Sequence, residues 1–317
     1  MYRIESRWGH QEFIKIEWNL GKRCNYDCSY CPAVIHDNHS PHTDLEILKR
    51  TVDKLATLHK PVRLSLTGGE PCVHPHIEQL IRYIKEKHMS LSITTNGTRK
   101  PLWYSMQNVD QYVFSLHFEY DWQNVLYAIK NVYDRSNGMH ILVHVMAHQD
   151  KMKEVRTAVD MLDFHGIPYT IRRVRWTEGD HDLFDDMRYD QKDLDWILEH
   201  VSTVKPNCTV YVDGGTKLRH ANDIIKLHLN KFSGWSCNAG IESLMINWDG
   251  DVHRATCRVG GSLGNIYNGT FTIPTEPVIC DRNYCTCAAD IPLTKFSLTD
   301  VGVGSTATEN LGTDETT

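Results

Sequence analysis

Between residues 13 and 175 the chain alternates two kinds of apolar pattern, and this alternation constrains its fold more than any other feature. FIKIEWNL (13–20), VRLSLTG (62–68), LSITTNG (91–97), YVFSLHF (112–118), HILVHVM (140–146) and YTIRRV (169–174) are short runs rich in Ile, Val, Leu and aromatic residues, and they read as strands. Between most of them apolar residues recur three and four apart: Leu45, Leu48, Val52, Leu55; then Ile77, Leu80, Ile81, Ile84 after Pro75; then Val125, Leu126, Ile129, Val132; and finally Met152, Val155, Val159, Leu162. Each set lies on one face of a helix. Thr43 with Glu46 supplies a capping box for the first. Strands alternating with helices demand crossover connections and hence a parallel sheet. Six such units are too few to close an eight-stranded barrel. The expected fold is therefore α/β, a partial (β/α)6 barrel, with a doubly wound open sheet satisfying the same pattern.

Past residue 180 the rhythm breaks. The barrel is expected to occupy residues 1–180 and a bridging helical region, carrying DDMRYDQKDLDWILEHV, residues 181–230. Residues 231–296 read as a small α+β cysteine-rich domain that opens on a hairpin (242–257) with Asp249-Gly250 at its turn. The tail, 297–317, is rich in Ser, Thr and Gly, poor in large apolar residues and expected to be disordered. The sequence has no internal repeat.

The net charge of −6 over 317 residues argues against a nucleic-acid partner, for which a basic domain is expected. One basic knot, IRRVRW (171–176), is too short to reverse that and could equally hold an acidic group of a small substrate. No run of about 18 apolar residues suggests a membrane span, and the N-terminus lacks the apolar core of a secretory signal. The expectation is a cytoplasmic protein with reduced thiols. Ten cysteines there point to metal or catalysis rather than disulfides.

Three of these thiols stand in CNYDCSYC (24–31), as Cys24, Cys28 and Cys31. A zinc site usually has four ligands with closer pairs; here His36 or His39 would have to complete it. Three thiolates on one loop could instead hold three irons of a four-iron, four-sulfur cluster and leave the fourth iron open. The motif resembles the C-x3-C-x-aromatic-C signature of the radical S-adenosylmethionine (SAM) enzymes, with Tyr30 as the aromatic residue. LTGGEP (66–71) and TTNG (94–97) resemble that family's elements at the ends of the second and third strands, so the resemblance covers about residues 13–175.

The resemblance implies a cluster whose open iron binds SAM, reductive cleavage to a 5′-deoxyadenosyl radical, and hydrogen abstraction from a substrate carbon. It implies that Gly68 and Gly69 let backbone approach the methionine amino group, that Glu70 accepts from that ammonium, and that Pro71 fixes the turn. Thr95 and Asn96 would bond ribose or carboxylate, with Ser115 a further candidate. His117 and His144 also stand on strands, where histidine serves either the core or catalysis.

The late cysteines are Cys237, Cys257, Cys280, Cys285 and Cys287. SCNAGIESLMINWDGDVHRATC resembles the opening of the auxiliary-cluster domain called SPASM in its full form and twitch in its shorter one. The full form ends C-x2-C-x5-C-x3-C, whereas this chain offers C-x4-C-x-C, so the shorter form with one auxiliary four-iron cluster is expected. Cys237 and Cys257 are the firmer ligands. Which two of Cys280, Cys285 and Cys287 join them is open, and the spare thiol is a candidate hydrogen donor. A structural zinc in the same place is the alternative.

Similar enzymes mostly modify ribosomally made peptides by cross-linking, dehydrogenation or epimerisation, and others act on small polar metabolites such as aminoglycoside sugars. Only about a dozen residues precede the first barrel strand, fewer than a leader-peptide-binding domain would need. The resemblance also implies a flavodoxin or ferredoxin as electron donor. From another class, a non-catalytic iron–sulfur or zinc-binding module would account for the cysteines but not for GGEP and TTNG at strand ends.

Overall fold

The computed structural model describes residues 2–7, 12–33, 35–174, 188–200, 203–212 and 215–298. In chain order it runs β1 (Arg3–Ser6), β2 (Ile14–Asn19), α1 (Leu45–Ala56), β3 (Val62–Thr67), α2 (Ile77–Glu86), β4 (Ser90–Thr95), α3 (Pro101–Met106), β5 (Gln111–Leu116), α4 (Trp122–Asp134), β6 (His140–Ala147), α5 (Met152–Phe164) and β7 (Tyr169–Arg173). The rest comprises α6 (Gln191–Glu199), β8 (Cys208–Val212), β9 (Gly215–Arg219), α7 (Ala221–Lys226), β10 (Ser236–Cys237), β11 (Ser243–Ile246), β12 (Asp251–His253), β13 (Ser262–Asn265), β14 (Val278–Ile279) and β15 (Lys295–Phe296).

The six strands read from the sequence are β2 to β7. They pair in chain order, all parallel, within a nine-stranded sheet ordered β13-β12-β11-β2-β3-β4-β5-β6-β7. The fold is a partial α/β barrel. Alternation along the strands sets its two faces. In β2, Ile14, Ile16 and Trp18 are fully buried, while Lys15, Glu17 and Asn19 between them are only partly so. The apolar set packs with helix residues that include Ile77, Leu80, Ile81 and Ile84 of α2 and Val125, Leu126, Ile129 and Val132 of α4. The polar set is left on the concave side.

The Asp249-Gly250 hairpin forms as expected, with Met245 opposite His253 and Ile246 opposite Val252. Its first strand, β11, also pairs in parallel with β2 and so extends the barrel sheet. A second, six-stranded sheet is ordered β14-β10-β15-β1-β8-β9, so the N-terminal strand lies among late ones. The bridging region contains a helix, α6, and also the β8–β9 hairpin and α7.

One local reading is corrected. Helix α1 is capped by Asp44, whose side chain accepts from the backbone N–H groups of Glu46 (2.8 Å) and Ile47 (3.4 Å), rather than by Thr43. Asp is as good an N-cap as Ser or Thr, and it stands one residue nearer the helix. Helix α3 and strands β1, β8 and β9 carried too short a pattern to be read. Among the described residues no helix is long and apolar enough to cross a membrane. Arg175 and Trp176 of the basic run, and the tail from residue 299, lie outside the described residues.

Candidate active site

The loop after β2 carries Cys24, Cys28 and Cys31, and backbone pairing holds it. Cys24 N–H donates to Asp37 O (2.7 Å), Asp37 N–H to Lys22 O (3.0 Å) and Cys31 N–H to Cys28 O (2.9 Å). The GGEP turn after β3 crosses the start of this loop, with Gly69 N–H bonded to Gly21 O (2.8 Å) and Glu70 N–H to Arg23 O (2.9 Å). The crossing explains both glycines. A Cβ at Gly69 would stand 2.3 Å from the carbonyl oxygens of Lys22 and Arg23, and one at Gly68 (φ 122°) would stand 2.5 Å from Gly21 O. Their bare backbone lets two chain segments touch.

Glu70 ties this turn to the end of β4. Its Oε1 accepts from Cys72 N–H (2.9 Å) and Thr95 Oγ1 (2.8 Å), and its Oε2 from Asn96 N–H (2.6 Å). Burial pushes the carboxyl up in pKa, and these three donors oppose the rise. Asn96 in turn donates to Asn25 Oδ1 (2.8 Å) inside the cysteine motif. The cysteine loop, GGEP and TTNG thus form one hydrogen-bonded unit.

These groups face a cavity of about 500 Å³. It is lined by all three cysteines with Tyr30, by Gly68, Gly69 and Glu70, and by Thr95, Asn96 and Ser115. Pro71 is not in the lining; it is buried and opens a single 3-10 turn beneath. Of the strand histidines, His117 lines the cavity, whereas His144 packs within the barrel beside Arg172 and His220. Burial lowers the His117 pKa to about 4, so its neutral ring accepts from the Tyr30 hydroxyl at Nδ1 (2.5 Å). His36 is buried at the cavity wall with Asp27 Oδ1 3.2 Å from its Nε2, while His39 is exposed.

The sequence reading missed the props behind the loop. Glu119 accepts from Ser29 N–H (2.8 Å) and Ser29 Oγ and pairs with His148 Nε2 (3.2 Å). Tyr26 stacks flat on Tyr120, with ring centroids 3.8 Å apart. It also missed Glu17, which lines the cavity from β2 and whose only sequence signal was a charge at an inward position of a strand; Arg172, from the basic run singled out in the sequence, lines the cavity from β7.

The late cysteines divide. Cys237, Cys257, Cys280 and Cys285 line one narrow cavity together with Asp290 and Lys295. Cys287 does not line it; with Cys257 it lines the large cavity instead. Lys295 is fully buried, and its Nζ donates to the carbonyls of Asp290 (2.6 Å), Ile291 (3.1 Å) and Leu293 (3.3 Å). Burial alone would lower its pKa, but Cys237, Cys285 and Asp290 raise it, so an ammonium stands beside these thiols.

Both thiol groups suit an iron–sulfur cluster. Burial, reinforced by mutual repulsion among the thiols and nearby acids, pushes Cys28, Cys31 and Cys257 to about 12, so as bare thiols they stay protonated. A bound cation reverses that balance. Tyr26 N–H (3.3 Å) already donates to Cys24 Sγ, with Asn96 Nδ2 at 3.9 Å. Among the described residues no three His, Cys, Asp or Glu side chains converge as ligands of a single ion. A cluster instead takes one thiolate on each of several irons, around a volume rather than a point.

The Radical SAM superfamily model matches residues 18–162, a stretch that holds CNYDCSYC, GGEP and TTNG. The chain carries a radical SAM domain. The domain is 37% identical over 84 residues to Fe-coproporphyrin III synthase of Methanosarcina barkeri (strain Fusaro / DSM 804), a match covering 26% of this chain and 21% of that protein. The chain thus spans about a fifth of the length of that relative. In fold it is similar to native anSMEcpe with bound AdoMet, at TM-score 0.55 and 15% identity, covering 81% of this chain and 79% of that one. It is also similar to Streptococcus suis SuiB bound to precursor peptide SuiA, at TM-score 0.51 and 15% identity, covering 82% and 65%. Both likenesses extend beyond residues 18–162 of the radical SAM domain.

Proposed function

We propose that the chain is a radical SAM enzyme that abstracts hydrogen from a substrate carbon, with one auxiliary cluster beside its six-stranded sheet. One observation carries this reading: three loop cysteines share a single cavity with the ends of strands β3, β4 and β5. Strand ends are where barrel enzymes place their chemistry. In this reading Cys24, Cys28 and Cys31 hold a four-iron, four-sulfur cluster, and Gly68, Gly69, Glu70, Thr95, Asn96 and Ser115 form the SAM wall, Glu70 serving mainly to fix the two turns. The cluster and SAM supply the radical chemistry when bound. The protein aligns the reactants and excludes water, and the Glu119 and Tyr120 props hold the loop still.

Cys237, Cys257, Cys280 and Cys285 are the proposed auxiliary ligands, because they share one cavity and Lys295 offsets the negative charge a four-thiolate cluster brings. Of the three thiols considered as hydrogen donor, Cys287 alone lines the large cavity, which supports that role for it. A ribosomally made peptide is the preferred substrate, supported by a fold-relative seen with a precursor peptide. A cavity of about 500 Å³ shared with SAM also suits a second reading, a small polar metabolite. A flavodoxin or ferredoxin would supply the electron.

Iron and acid-labile sulfide per chain after anaerobic reconstitution test the reading. The Cys24, Cys28, Cys31→Ala triple variant is expected to keep about four irons and lose SAM cleavage. Cys285→Ser is expected to lose the auxiliary iron, and Cys287→Ser to keep the full complement. Almost no iron in the triple variant would remove the auxiliary cluster.

A further inference from the structure

The basic side chains that β7, α7 and the segment after β12 add to the cavity wall are not among the residues assigned above to SAM or to either cluster. Strand β7 contributes Arg172 and Arg173 to the large cavity, the end of α7 contributes Lys226, and the segment after β12 contributes Arg258. The carboxylates in the lining are Glu17 and Glu70. Glu70 is taken up by three donors, and burial pushes the Glu17 carboxyl up in pKa while Lys15 and Arg172 oppose the rise, so the wall carries four cationic side chains against Glu17. Lys226 Nζ donates to His200 O (3.0 Å). Arg172 Nε is buried and has no hydrogen-bond partner, and among the described residues no carboxylate lies within ion-pair distance of that guanidinium. Its electrostatic neighbours include Cys287 and Glu17, which favour the charged guanidinium, and His144 and His220, which add no negative charge.

Leaving a buried charged donor unpaired costs on the order of 1–3 kcal/mol or more. A guanidinium fork matches carboxylate and phosphate oxygens in two-point fashion. We infer that Arg172, supported by Arg173, Lys226 and Arg258, forms an oxyanion subsite that seats a carboxylate or phosphoryl group of the substrate. This rests on the reading of the large cavity as the substrate site. It narrows the substrate to one with an acidic group, presented near Cys287, which lies within electrostatic reach of Arg172.

The test is calorimetric binding of two probes to the reconstituted protein at low salt: inorganic pyrophosphate for phosphoryl groups and succinate for carboxylates. At least one probe is expected to bind, and the stronger identifies the oxyanion. Its affinity is expected to fall about ten- to a hundredfold in Arg172→Gln, less in Arg172→Lys, and as salt is added. Arg258→Gln alters an exposed residue and keeps the test alive if Arg172→Gln fails to fold; about a threefold loss is expected there. Binding is expected to survive in the Cys24, Cys28, Cys31→Ala variant, so failure of the radical reading and failure of the subsite give different results. Binding of neither probe, or equal affinity in wild type, Arg172→Gln and Arg258→Gln, would overturn the inference.

Discussion

Gly69→Ala is the sharpest probe of how the cysteine loop is held. The added methyl would meet two carbonyl oxygens at 2.3 Å, Lys22 O and Arg23 O, both backbone atoms with no rotamer to relieve the clash. Relief requires the turn and the loop to separate, which stretches Gly69 N–H to Gly21 O and Glu70 N–H to Arg23 O. Forced overpacking costs about 1–3 kcal/mol, and each weakened hydrogen bond about 1 kcal/mol. A total of about 3 kcal/mol corresponds to a fall in Tm of roughly 6–12 °C, at the ~2–4 °C per kcal/mol typical of chains of about 150–250 residues. Scanning calorimetry of wild type, Gly69→Ala and Gly21→Ala measures it. Gly21 is the control, since a Cβ there meets nothing within 4 Å. Iron retained at the loop is expected to fall with Tm in Gly69→Ala alone. A Tm loss below about 2 °C in Gly69→Ala, or equal losses in both variants, would refute the claim that Gly69 is a crossing point.

Two further outcomes follow from the same geometry. Asp44→Ala is expected to destabilise by about 1 kcal/mol in urea unfolding, whereas Thr43→Ala stays within about 0.5 kcal/mol, because Asp44 makes the N-cap bonds of α1. His220 caps α7 by accepting from Asn222 N–H (3.3 Å), and burial, with Arg172 and Lys226 nearby, lowers its pKa to about 4. Below an ordinary histidine pKa of about 6.5 the unfolded chain therefore binds the proton first. Stability is full above about pH 6.5 and is lost as pH falls toward 4, by up to about 3 kcal/mol. Unfolding midpoints of His220→Asn, which keeps a capping side chain, are expected to show less pH dependence across that window than wild type.

The barrel was legible because its evidence is local. Six apolar runs and the face of each intervening helix follow from the two periodicities of backbone geometry, and Asp249-Gly250 marks its own turn. The radical SAM domain was legible for a similar reason, since CNYDCSYC, GGEP and TTNG are contiguous motifs. Short elements such as α3 and β1 left too few residues for a period to show. The cap at Asp44 was missed because two suitable residues stood side by side.

What only the tertiary structure decided is which distant residues meet. Five late cysteines look alike in sequence, yet packing gathers four around one cavity with Lys295 and turns Cys287 toward the other. Gly69 is required by contact with Lys22 and Arg23, far from it in the chain. Arg172 reads as part of a basic run, and its meaning comes from β7 directing it into an interior where its Nε has no hydrogen-bond partner. Periodicity and motif are properties of neighbouring residues and survive in the bare sequence. Charge balance, ligand grouping and close backbone crossing are properties of the folded contacts, so they exist only once the sheets have closed around the cavity.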